Sequence, residues 1–192
     1  MLKPRDPLLI DVPESFETER LRCRLLVPGE GAMVAEAIVA SLDALRPWMP
    51  WAQSPSAAAS EAFVRRALAG FHGRTELSYG VFARGDGRFL GCVGAHDLVW
   101  SVPRFELGYW CRTSDVGRGY VTEAARALTR ILFDQLGAAR VELRTDDRNA
   151  RSAAVADRLG FTLEGVLRRR ARDVTGELYD LRVYARLSAE GL

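Results

Sequence analysis

One stretch constrains this chain more than any other. Between residues 121 and 132, Val121, Ala124, Ala125, Leu128, Ile131 and Leu132 recur at the spacing of a single helical face, and Gly137 offers a stop. A helix with one apolar stripe must bury it against a sheet or other helices. Two segments of strand length flank it, RFELGYWC (104–111) and ARVELRTD (139–146). Just ahead of the helix stands VGRGYV (116–121), with two glycines where helix propensity is poorest.

The remaining pattern extends this mixture. RLRCRLLV (20–27) alternates as a strand, with Leu21, Cys23 and Leu25 on one side. PGEGAMVAEAIVASLDAL predicts a helix that stops near Pro47. LRPWMPWAQSPS cannot be regular because its prolines break it. Ser56 to Phe71 carries Phe63, Val64, Ala67 and Leu68 at helical spacing. LSYGVFARGDGRFLGCVGAHDLVW predicts two strands around the turn RGDG. After ARVELRTD come a short helix, NARSAAVADRLGF, stopped by Gly160, and two strands, FTLEGVLRRR and ELYDLRVYARL, separated by DVTG. The expected architecture is α/β of the α+β type: a mostly antiparallel central sheet of about seven strands with helices on both faces. Residues 1–15, rich in proline and charge, are expected to form an extended arm before a single domain over 16–192.

Charge narrows the function classes. With 27 basic and 25 acidic residues the formal charge is +2, which argues against bulk electrostatic binding of DNA or RNA. No apolar run is long enough to span a bilayer. The N-terminus carries prolines and acids where a secretory signal needs an apolar core, so a cytoplasmic location is expected. Cys23, Cys92 and Cys111 are distant in sequence and read as reduced core thiols rather than a disulfide or zinc framework. His72, at a helix end, and His96, near a strand end, have no ligand cluster around them, and no metal is expected.

The glycine pair has two readings. One is a plain turn. In the other, alternate glycines let successive N–H groups converge on an anion, backed by the helix dipole. A P-loop would need lysine and serine or threonine after its glycine, and a dinucleotide fingerprint would need a third glycine. Further along, Asn149 stands where a helix starts and Ser152 lies three residues on, so both side chains belong to one turn.

In order and spacing, ELGYW, VGRGYVTEAARAL, DDRNARSAAVADRLGFTLEGVLRR and YDLRVYARL resemble the GNAT superfamily of acetyl-CoA-dependent N-acetyltransferases. The chain is most similar to the RimJ/RimL kind, which acetylate ribosomal-protein N-termini; FETERLRCRLL and LRPWMPWA extend the likeness over 16–187. The resemblance implies that Val116, Gly117, Arg118, Gly119, Tyr120 and Val121 bind the coenzyme A pyrophosphate through backbone N–H groups. Val116 departs from the family's usual glutamine, arginine or tryptophan, and Val121 from its usual small residue. Asn149 is implied to hold the pantetheine arm or the surroundings of the attacking amine. Ser152 is implied to lie near the thioester sulfur and protonate the departing thiolate; the tyrosine many members use one turn later is Ala156 here.

For a base, the family's glutamate after LEG is missing, since VLRRRARD puts arginine or alanine there. Glu106, which opens ELGYW, is the preferred replacement, directly or through a water; Asp173 and Glu177 rank behind it. Trp48, Met49 and Trp51 either wall the acceptor pocket or plug the core, and RRRAR (168–172) either meets an acidic partner or is a solvated strand end. The expected reaction is direct attack of a primary amine, on a protein N-terminus or a small molecule, with a backbone N–H of the central strand on the oxyanion. The alternatives are a non-catalytic acyl-CoA sensor and a ribosome-associated module on the same fold. A homodimer is a further expectation from the resemblance.

Overall fold

The computed structural model describes residues 6–192. Of the expected N-terminal arm, residues 1–5 lie outside the described residues. Pro7–Leu9 form a 3-10 turn, and Val12 packs into the core. The strands are β1 (Ser15–Glu17), β2 (Leu21–Arg24), β3 (Leu77–Ala83), β4 (Phe89–Val99), β5 (Arg104–Cys111), β6 (Arg140–Asp146), β7 (Thr162–Arg172) and β8 (Leu178–Arg186). The helices are α1 (Gly31–Val39), α2 (Leu42–Leu45), α3 (Ala57–His72), α4 (Tyr120–Asp134) and α5 (Ala150–Arg158).

All eight strands join one sheet in the order β1-β2-β3-β4-β5-β6-β8-β7. The strand beyond the expected seven is β1, three residues long, which pairs with β2. The single helix expected over residues 28–45 is two. The chain turns at Ser41, whose buried hydroxyl accepts a hydrogen bond from the Thr113 amide at 2.9 Å. That bond ties the α1–α2 corner to the loop ahead of α4.

The sheet is antiparallel except at β5 and β6, the two strands joined by α4. Their parallel pairing covers only Arg104–Glu106 against Arg140–Glu142. Beyond Glu106 the strands part, although β5 runs on to Cys111 and β6 to Asp146. Helix α4 explains the pairing, since a crossover helix lets consecutive strands lie parallel while packing its apolar face on the sheet. That face is Ala124, Ala125, Leu128, Ile131 and Leu132.

The core has two parts. Under α4 and α5, Leu21, Tyr79, Leu90, Phe105, Leu128 and Leu143 belong to the larger cluster. On the opposite sheet face, Val34, Ile38 and Val64 of α1 and α3 pack on Phe82, Phe89 and Trp110. Strand alternation therefore sends Leu107 and Tyr109 toward α4 and α5, and Glu106, Gly108 and Trp110 the other way. Among the described residues no helix is long and apolar enough to cross a membrane.

Candidate active site

The loop before α4 is held in a strained shape from three directions. Gly117 and Gly119 have φ of +84° and +80°, left-handed values that disfavour any side chain. Asp115, buried at 1% exposure, binds both carboxylate oxygens to Arg88 Nη1 at 2.6 and 2.7 Å and accepts from the Ser114 hydroxyl. Burial would raise this carboxyl, but Ser114 and Arg88 outweigh it and hold it below its usual range. From just ahead of β2, the Arg20 guanidinium donates to the Arg118 carbonyl at 3.0 Å and lies over the Tyr120 ring. Arg20 also grips Glu123 in the first turn of α4.

The result is a row of bare donors. From Gly117 to Thr122, six consecutive N–H groups have no hydrogen-bond acceptor among the described residues. Six unpaired amides at a helix N-terminus fit a diphosphate, which brings both the charge and the acceptor oxygens they need. Val116 and Arg118 are exposed at the rim, Arg118 with its guanidinium 3.8 Å from Asp115. Val121 is half-buried against the core, so its bulk is turned away from the amides.

The parting of β5 from β6 opens a slot through the sheet. Arg112 N–H donates to Leu90 of β4, so alternation turns the main-chain groups of Tyr109 toward β6, where no strand pairs with them. A cleft of about 2320 Å³ runs from the α4 loop through this slot to the proline-rich loop on the far face. Its lining includes Val116, Gly117, Gly119, Tyr120 and Val121 of the glycine loop, Asn149, Ser152, Glu106 and the Trp48–Trp51 loop, but neither Arg118 nor Glu177.

On the α4–α5 side, Asn149 caps α5: its side-chain oxygen accepts from the Ser152 amide at 3.1 Å. The Ser152 hydroxyl lies 2.9 Å from the Tyr109 hydroxyl. Burial pushes the Tyr109 phenol up to about 12 against the opposing Ser152 hydrogen bond, so it stays protonated at neutral pH. Sequence reading missed Tyr109. Its one signal was a tyrosine inside ELGYW; that it meets α5 follows only from the fold.

On the opposite side, Glu106 is held in place. One carboxylate oxygen meets Arg144 and the other lies 3.3 Å from His96 Nε2. Asp173, the next candidate base, accepts from Thr175 and Arg148 and closes the β7–β8 turn; Glu177 is exposed. At the mouth of this side, Trp51 lies edge-on to Trp110 with ring centroids 6.1 Å apart. Trp48 is 36% and Trp51 51% exposed, while Met49 packs on the smaller core cluster. The deep plug of this loop is Ala52, at 0% exposure.

Comparison with known proteins agrees with this geometry. The model of the acetyltransferase (GNAT) domain matches residues 20–162. The chain belongs to the GNAT acetyltransferase family. This GNAT chain is 33% identical over 181 residues to "Putative ribosomal N-acetyltransferase YdaF" of Bacillus subtilis, covering 90% of this chain and 93% of the relative. A solved "putative ribosomal-protein-serine acetyltransferase" from Vibrio cholerae is 25% identical with a TM-score of 0.76, covering 90% and 97% of the two chains. The ribosomal alpha-N-protein acetyltransferase RimL, solved in complex with coenzyme A, shares the fold at a TM-score of 0.85 and 21% identity, covering 92% and 99%. The protein is therefore an N-acetyltransferase that draws its acetyl group from acetyl-CoA.

Proposed function

We propose that this enzyme acetylates a protein N-terminus by direct attack, using residues 16–192 as one acetyltransferase domain. One observation carries the reading: the slot between β5 and β6 joins a cradle of unpaired amides on one sheet face to an aromatic-rimmed entrance on the other. Two reactants entering from opposite faces meet in the slot already oriented, so part of the entropic barrier is removed before reaction. Amides 117–122 take the diphosphate, the Asn149 side-chain N–H₂ stays available to the pantetheine arm, and the Tyr109 N–H faces the acyl oxygen. Ser152, linked to Tyr109, protonates the departing thiolate, and Glu106 serves the amine side. Trp48, Met49 and Trp51 flank the incoming residue.

A protein α-amine suits this site because it titrates at about 7.7–8.0, against about 10.4 for a lysine, and needs little activation near neutral pH. The named relatives, described as ribosomal and ribosomal-protein acetyltransferases, support the same acceptor. The enzyme acts in the cytoplasm, where its free cysteines stay reduced. It works as a homodimer, for which Leu163, Val166 and Leu167 on edge strand β7 supply exposed apolar surface. The test is thiol release from acetyl-CoA with ribosomal-protein N-terminal peptides and a panel of small amines. The expected result is mass gain at a peptide α-amine; acetylation of small amines alone overturns the acceptor assignment. Light scattering reads the dimer.

A further inference from the structure

An amine that attacks a thioester must lose a proton, and the amine side of the slot presents an imidazole beside a carboxylate. We propose that His96 takes that proton and that Glu106 is its positioning residue; this rests on the acetyl-transfer reading above. His96 and Glu106 face each other across β4 and β5, with Nε2 3.3 Å from Oε1. The second Glu106 oxygen is engaged by Arg144, which also holds Asp97 at 2.7 Å, and Asp97 in turn holds Arg104 at 3.1 Å. Glu106 is thus fixed with both carboxylate oxygens engaged, one by Arg144, in position to orient the neighbouring ring. The charged groups around the ring are Glu106 on β5, Asp97 on β4 and Arg144 on β6, with Arg104 and Glu142 behind them.

Gly108 makes room for the ring. A Cβ there would stand 2.8 Å from His96 Cε1 and 3.0 Å from Nδ1, its nearest contacts among the described residues apart from the adjoining strand residues. The imidazole therefore lies over Gly108, two residues beyond Glu106 where β5 has left β6, with its Cε1–Nδ1 edge toward that glycine. Its side chain is 51% exposed, open to a substrate and able to return a proton to water. Ser152 and Tyr109 stand on the other sheet face, so donor and acceptor of protons flank the reacting carbon. As the C–N bond forms and the C–S bond breaks, the amine proton passes to His96 Nδ1. The thiolate takes a proton from the Ser152 hydroxyl, which water replenishes as His96 releases its own.

The test uses the full-length enzyme with acetyl-CoA and an N-terminal peptide. His96→Gln is expected to lower kcat about 100-fold, within the range for a general base, with the acetyl-CoA Kd unchanged. Imidazole in the buffer should restore part of the activity of His96→Ala. Gly108→Ala should reproduce the loss by displacing the ring, with circular dichroism unchanged, and His72→Gln should match wild type. A readout independent of turnover is ring ¹⁵N NMR, simple in a chain with two histidines. The expected tautomer carries its proton on Nε2, the Nε2 signal moves in Glu106→Gln, and the Nδ1 signal moves when peptide is added. Wild-type turnover in His96→Gln, or ring signals indifferent to Glu106→Gln and to peptide, overturns the assignment. If no amine is acetylated by wild type, the transfer reading itself fails, while the ring signals still judge the His96–Glu106 pair.

Discussion

A serine hydroxyl is a poor acid in isolation, so Ser152 needs a neighbour. Tyr109 is that neighbour at 2.9 Å, and its buried phenol keeps its proton at neutral pH. Ser152→Ala is expected to lower kcat about 10- to 100-fold, as for loss of one proton-transfer group, while the acetyl-CoA Kd barely moves. Tyr109→Phe should do the same, and the double variant should lose less than the two losses combined, because residues acting as a unit are not additive. Steady-state kinetics with equilibrium binding decides this; additive losses would separate the two hydroxyls. Legibility differs at this scale. Asn149 and Ser152 stood out because a cap and its third following residue are neighbours in sequence. Tyr109 and His96 did not, because their partners lie 43 and 10 positions away and meet only through strand alignment and helix docking.

At the scale of elements, the cradle is a loop prepared before its ligand arrives. Two left-handed glycines set its path, and Asp115, Arg88 and Arg20 clamp it to the β3–β4 turn and to the entry of β2. Gly119→Val places a β-branched residue at φ +80°, where strain of about 1–3 kcal/mol is expected. Calorimetry should show acetyl-CoA binding weakened at least about tenfold, the equivalent of 1.4 kcal/mol. Asp115→Asn tests the clamp. Because the folded Asp115 carboxyl lies below its ordinary value, its contribution is fully present above about pH 4 and fades as pH falls through the lowered value. Urea unfolding across acidic pH should therefore show a wild-type advantage over Asp115→Asn that shrinks on acidification. A constant gap would mean the carboxylate charge contributes nothing to the clamp.

For the whole molecule, the sheet is a single body divided for half its depth. Phe105 and Val141 seal the paired end of β5 and β6, while Tyr109 sits where β6 has turned away. Amide hydrogen exchange should reflect that division. In the free enzyme the Tyr109 amide is expected to exchange faster than those of Gly108 and Trp110, which face β4, and to become protected with acetyl-CoA. Equal protection of all three without ligand would mean the slot is closed in solution.

The amino-acid sequence determined the elements and the cradle. Periodicity marked the faces of α3 and α4, glycine and proline marked the breaks, and VGRGYV carried its own left-handed turn, because each depends on neighbours along the chain. The tertiary structure alone decided the parallel β5–β6 pair, the point where it opens, the break at Ser41 and the meeting of His96, Glu106 and Arg144. Those features are contacts between distant segments, fixed by how α4 packs its apolar face on the sheet, and local sequence carries no record of such distances.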